Sequence, residues 1–234
     1  MRLNILSGGA AQSVVNALAG GFRAATGYEL ICTFSAVGAM KAKLLGGAPA
    51  DLVILTHAQI SELAAAGLLL PDSCADLGRV RTGVAVRTGD PLPDIASASA
   101  LRTSLCAAEG VFIPDPHKAT AGIHFARVLD TLGIRDELGL RLKTYPNGAT
   151  AMRELAQAKG TMLVGCTQVT EINITPGVVL AGLLPREFEL ATVYSVGVCA
   201  GGTRLDAARR FIAVLTGDAS RALRMKAGFE LGAV

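Results

Sequence analysis

Apolar residues in this chain fall into short runs, separated by longer stretches in which they recur every three or four positions. Short runs read as buried strands and the longer period as amphipathic helices, so their alternation predicts βαβ units and a mostly parallel sheet. Strands are expected at 3–6, 30–34, 52–55, 82–86, 111–113, 140–145, 162–166, 178–181 and 191–199. Helices are expected at 11–26, 36–45, 57–66, 97–107, 120–132, 149–159, 205–216 and 219–227. Thr120, Asn147, Thr203 and Asp218 stand where helix N-caps are expected, because their side-chain oxygens can accept from first-turn N–H groups.

The strands at 82–86 and 191–199 adjoin loops rich in Gly, Pro and Asp and read as crossovers between two lobes. The expected fold class is therefore α/β, with two doubly wound lobes joined by two crossover strands and a ligand cleft between them. Lobe 1 is expected at 1–80 plus 197–234, and lobe 2 at 81–196.

In open α/β sheets ligands lie beyond the C-terminal strand ends, where helices begin. Five such junctions stand out: Ser7-Gly8-Gly9-Ala10, Ser35-Ala36-Val37-Gly38, Ala119-Thr120-Ala121-Gly122, Tyr145-Pro146-Asn147-Gly148-Ala149-Thr150 and Cys166-Thr167-Gln168. They offer hydroxyls, amides and bare backbone N–H groups with hardly a charge, which is how neutral donors and helix N-termini hold an anion. The second junction opens a helix that stops at Gly46-Gly47, and Pro49 and Asp51 then lead straight into the strand at 52–55.

The composition, 51% hydrophobic and 18% charged over 234 residues, is that of a globular protein rather than a disordered one. A net charge of +3 with scattered Lys and Arg and only 4% aromatics gives no nucleic-acid footprint, so no nucleic-acid partner is expected. No apolar run approaches the ~18 residues needed to cross a bilayer, so no membrane insertion is expected. Five cysteines lie far apart, without a CxxC pair or a nearby histidine, and read as buried thiols in a reducing compartment. The opening Met-Arg-Leu-Asn-Ile-Leu enters a strand at once with no signal-peptide pattern, which reads as cytoplasmic, or periplasmic if a leader has been trimmed.

No metal site is expected, because His57, His117 and His124 lie on different elements without carboxylates at ligand spacing. No cofactor is expected either, since neither a phosphate-loop nor a dinucleotide fingerprint is present. Ser7 and Ser35 have no evident histidine partner, which argues against nucleophilic catalysis. His117 and Lys118, beside the third junction, and Glu171, after the fifth, are the candidates for a catalytic base.

The Ser7-Gly8-Gly9 loop, the Gly46-Gly47-Ala48-Pro49-Ala50-Asp51-Leu52-Val53-Ile54 run and the Thr120-Ala121-Gly122 helix start resemble the type 2 periplasmic substrate-binding proteins of the molybdate-binding kind. The resemblance covers nearly the whole chain and implies the periplasmic-binding-protein-like II fold. It also implies an anion held by Ser7, Gly8, Gly9, Ala10, Ser35, Val37, Gly38, Thr120, Ala121, Gly122, Asn147, Gly148, Thr167 and Gln168. Gly9-Ala10 stands where that family offers a hydroxyl, and Ser35-Ala36-Val37-Gly38 holds fewer serines than its counterpart, so a ligand other than molybdate is expected. Pro93-Asp94-Ile95, and Gln168 with Glu171, resemble a divergent branch that includes aconitate isomerase. Two functions follow as expectations. One is a monomeric solute-binding protein that takes a small oxyanion or carboxylate and works with an ABC permease. The other is a cofactor-independent isomerase of an unsaturated carboxylic acid.

Overall fold

The computed structural model describes residues 1–232. The chain divides into two compact units, Met1–Val80 with Thr192–Val234, and Arg81–Ala191. It passes from the first unit to the second within strand β4 (Ala75–Arg87) and returns within β9 (Ala191–Val198).

In the first unit the order is β1 (Arg2–Gly8), α1 (Gln12–Thr26), β2 (Glu29–Ser35), α2 (Val37–Leu45), β3 (Leu52–Thr56) and α3 (His57–Ala65), closed after β9 by α9 (Leu205–Thr216) and α10 (Arg221–Ala227). Its strands lie in the order β2-β1-β3-β9, the first three parallel and β9 antiparallel to β3. β3 is apolar and buried from Leu52 to Leu55, as a strand covered on both faces must be. α1 and α9 pack together, with the Phe22 and Phe211 rings edge to face at 5.1 Å.

Buried Arg224 fastens α10 to the start of β4. Its guanidinium donates to the carbonyls of Leu77 (2.6 Å), Thr216 (2.7 Å) and Gly217 (3.1 Å), and its Nε to the Ser220 hydroxyl. Burial lowers the pKa of this guanidinium, as burial does for any cation taken out of water.

The second unit runs α4 (Ala98–Ala107), β5 (Gly110–Pro114), α5 (Thr120–Thr131), α6 (Arg135–Leu138), β6 (Leu142–Tyr145), α7 (Gly148–Gln157), β7 (Leu163–Gln168), α8 (Val169–Asn173) and β8 (Val178–Leu183). Its strand order is β8-β4-β7-β5-β6. β7, β5 and β6 are parallel, while β4 runs antiparallel to both β7 and β8. Alternation along these strands divides the core between two faces. On one face Val84, Val111, Ile113, Val164 and Cys166 meet Leu101 and Leu105 of α4 and Phe125, Val128 and Leu129 of α5. On the other face Ala85, Phe112 and Leu163 meet Ala151, Met152 and Leu155 of α7.

The strand expected at 82–86 is the second half of the much longer β4, and the expected strand at 140–145 begins only at Leu142, after a 3-10 turn. Of the four expected caps only Asn147 caps a helix with its side chain. Thr120 is the first residue of α5 rather than its cap, α9 starts from Arg204 instead of Thr203, and Asp218 opens a 3-10 turn ahead of α10. All five cysteines are free. Cys166 and Cys199 are buried and the others half-buried.

Replacing Arg224 with Met roughly keeps the volume but removes the guanidinium donors to the Leu77 and Thr216 carbonyls, while Gly217 O keeps its bonds from Ser220. This change is expected to cost about 2–4 kcal/mol, read as a lower urea midpoint at an unchanged slope.

Candidate functional site

In the first unit the parallel register of β1 and β2 sets Gly8 opposite Ser35, so the first two strand-to-helix junctions lie side by side. They approach so closely that a Cβ on Gly8 would stand 2.6 Å from Val37 Cγ1, and no residue but glycine fits there unshifted. α2 starts from Ala36 with no side-chain cap, and so does the 3-10 turn that leads from Gly8 into α1. An uncapped end leaves N–H donors and the positive end of the helix dipole for an outside acceptor.

Helices α3 and α4 differ: Thr56 and Ser97 cap them through Gln59 N–H (3.4 Å) and Ala100 N–H (3.2 Å). Ser7 is buried and its hydroxyl donates to Gly8 O at 2.9 Å, so it stabilises the turn itself. Ala10 and Val37 are buried, while Gly9, Gly38 and Ser35 are half-buried. Ser13, in the first turn of α1, has a buried hydroxyl without a partner. In the sequence Ser13 falls inside the helix expected at 11–26 and carries no distinguishing mark.

In the second unit α5 starts from Ala119, again with no side-chain cap and no acidic residue in the first turn. Gly122 lets this helix press onto the end of β5, since a Cβ there would meet the carbonyl oxygens of Asp115 at 2.3 Å and Pro114 at 2.4 Å. Ala121 is buried and Thr120 half-buried. The Asp115 carboxylate accepts from the backbone N–H groups of His117 (2.7 Å) and Lys118 (3.1 Å), and the residues themselves are exposed. Of the three candidate bases, these two stand in solvent and only Glu171 is buried.

The end of α7 is occupied by the protein itself. Asn147 Oδ1 caps Thr150 N–H at 2.8 Å, and the backbone groups of Gly148 and Ala149 bond to the Glu171 carboxylate. Gln168 N–H adds a third backbone bond, and Thr167 Oγ1 donates to Glu171 Oε2 at 2.6 Å. Burial holds the Glu171 carboxyl above the ordinary carboxylate range, and the four hydrogen bonds pull the other way. Gly148 has no alternative, because a Cβ there would lie 2.0 Å from both Glu171 Oε2 and Thr167 Oγ1.

Alternation sends Thr167 toward α7 and the next residue, Gln168, to the opposite face. Gln168 lies one pleat beyond Cys166 on the face that α5 covers, and Thr82, its register partner on β4, lies one pleat beyond Val84 on that face. Gln168 is 2% and Thr82 1% exposed, yet the amide nitrogen, the amide oxygen and the Thr82 hydroxyl have no hydrogen-bond partner. Buried polar groups are nearly always paired, so three unpaired ones at the end of a strand call for a partner from outside the chain. Thr82 had no distinguishing mark in the sequence, and only the register of β4 against β7 selects it.

The fold also gathers His57, Asp76 and Ser195, which lie far apart in the sequence. His57 Nδ1 is 2.9 Å from Asp76 Oδ1 and 3.3 Å from Ser195 Oγ, and Ser195 donates to the same carboxylate oxygen. A nucleophilic triad needs serine on one ring nitrogen and the carboxylate on the other. Here both meet Nδ1, so the serine proton is held by aspartate and the arrangement is a structural bond between α3, β4 and β9. His124, within α5, is satisfied by Phe188 O at 2.8 Å. Among the described residues no group of three or more His, Cys, Asp or Glu is placed to hold a metal ion, and no helix is long and apolar enough to cross a membrane.

Parallel strands that run into bare helix ends, in two units linked by two strands, make up the periplasmic-binding-protein-like α/β fold. The periplasmic molybdate-binding protein of Azotobacter vinelandii shares it with a TM-score of 0.82 at 19% identity, over 99% of this chain and 100% of that one. The sulfate-binding protein SubI of Mycobacterium tuberculosis gives a TM-score of 0.75 at 20% identity, over 98% of this chain and 86% of that one. The chain belongs to the bacterial extracellular solute-binding protein family, whose model matches residues 3–230. In sequence it is 29% identical over 231 residues to an aconitate isomerase from a Pseudomonas species, covering 94% of this chain and 85% of that protein.

A carboxyl whose pKa is raised by folding binds its proton more readily in the native state, so its contribution to stability falls as pH rises above its unfolded value. Glu171→Gln removes that titration. In urea melts, E171Q should therefore gain on the wild type as pH rises from about 4.5 toward 8. A constant difference across that range would show that Glu171 does not take up a proton on folding.

Proposed function

We propose that this protein binds a small anion, an oxyanion or a carboxylate, as the solute-binding component of a transport system. The observation that carries the reading is the state of the helix ends at the predicted ligand loops. The starts of α1, α2 and α5 have no side-chain cap, and beside the face that α5 covers lies a buried amide without a partner. Helix ends of this kind hold anions without a formal positive charge nearby. Family membership and the molybdate- and sulfate-binding neighbours support the same reading. The reading makes an ABC permease the partner, makes a monomer sufficient, and puts the protein outside the cytoplasm, where such receptors meet their ligand.

A second reading, isomerisation of an unsaturated carboxylic acid by proton transfer, is favoured by one observation. A buried carboxyl with raised proton affinity, Glu171, sits in α8 just past the end of β7, as a general acid or base could. The likeness to aconitate isomerase supports it as well. Incubating the protein with cis- or trans-aconitate in deuterated water distinguishes the two readings: deuterium incorporation or isomer exchange seen by NMR establishes catalysis, and its absence alongside calorimetric binding leaves capture alone.

Gln168→Leu is expected to separate binding from stability. Removing an unpartnered buried amide is neutral or stabilising by about 1 kcal/mol, so the urea midpoint should hold or rise while calorimetry shows at least a tenfold loss of anion affinity. A Q168L protein that binds as tightly as the wild type would remove Gln168 from the site.

A further inference from the structure

The two helix ends that flank the sheet of the second unit are in opposite states. α5 and α7 both start at the C-terminal edge, one on each face, and β7 ends between them. At α7 a resident carboxylate takes the first-turn backbone bonds, while at α5 the helix end has no side-chain cap and its neighbouring amide is unpartnered. We infer that Glu171 is a specificity-determining anion built into the site, which excludes tetrahedral dianions and admits an organic acid that seats one carboxylate at the α5 end.

Two features lead to this ligand class, and the inference rests on the anion-binding reading above. The first is charge. A helix end attracts an anion through its uncovered donors and its dipole, and the α7 end has spent both on Glu171. An incoming anion therefore meets at α7 a buried carboxylate, and like charges in a poorly solvated site repel strongly. A dianion with its charge packed on four oxygens suffers most. An organic acid can instead spread its charge and turn a C–H or hydroxyl toward that side.

The second feature is hydrogen-bond type. The unpartnered Gln168 side chain presents both a donor, Nε2, and an acceptor, Oε1, with the Thr82 hydroxyl beside it on the same face. The amide calls for an acceptor at Nε2 and a donor at Oε1, and a single ligand group meets both only if it accepts and donates. A fully deprotonated tetrahedral oxyanion only accepts, whereas a hydroxy acid does both. Glu171 and Gln168 thus point to the same class from opposite faces of β7, through different chemistry.

Isothermal titration of the wild type, E171Q and E171D at pH 7.5 with sodium molybdate, sodium sulfate, citrate, malate and trans-aconitate tests this. The wild type should bind at least one of the organic acids at least a hundredfold more tightly than either tetrahedral dianion. E171Q, which keeps the shape and loses the charge, should narrow that ratio at least tenfold by gaining affinity for molybdate or sulfate. E171D, which keeps the charge, should retain it. Wild-type binding of molybdate or sulfate as tight as that of any organic acid overturns the inference while the anion reading stands, and needs no variant to fold. An unchanged ratio in E171Q of native circular dichroism overturns it equally. Failure of all five compounds to bind would instead overturn the anion reading beneath it.

Discussion

Glu171 is the group around which the second unit is arranged. Removing a carboxylate from water costs several kcal/mol unless its oxygens find donors. Here the donors come from three places at once: the backbone of Gly148 and Ala149 at the start of α7, the backbone of Gln168, and the Thr167 hydroxyl. Those bonds fix the end of β7 against the first turn of α7, and they make glycine obligatory at 148, where any side chain would collide with the carboxylate. They also set the direction of β7's last two residues, Thr167 toward α7 and Gln168 toward the face of α5.

The helix ends show how one backbone device serves two purposes. Some helix starts are closed by a side chain, as Thr56 closes α3 and Ser97 closes α4, while others away from the predicted ligand loops, α9 and α10 among them, are not. At the starts of α1, α2 and α5 no side chain does so. An exposed helix end can be satisfied by water, so bareness alone identifies no ligand. The Gln168 amide adds the missing constraint, because it is buried away from the surface and no group of the chain pairs with it.

Much of this was legible along the chain. The switch between short apolar runs and a three-to-four-residue period placed the strands and helices, and the glycines at 8, 122 and 148 marked the junctions because close backbone approach tolerates nothing larger. Gln168 stood out at the fifth strand-to-helix junction, and Glu171 through the resemblance to the divergent branch. The caps were less legible. Thr120 carries the right side chain for an N-cap, but the cap position falls one residue earlier, on extended Ala119, and Thr120 is the first helical residue. The full length of β4 was hidden too, because its first half alternates Arg79 and Arg81 with buried Leu77 and Val80, which lacks the continuous apolar run of a central strand.

The sequence by itself determined the element order, the α/β class and the set of junctions, since these follow from local periodicity and from what glycine and small polar residues permit. Only the tertiary structure decided what each junction does. Whether Glu171 would point to solvent or into α7, whether Thr82 would stand beside Gln168, and whether His57 would find Asp76 and Ser195 all depend on strand register and on which face a helix covers. Those are long-range choices, set by packing the apolar faces, and no local pattern of residues encodes them.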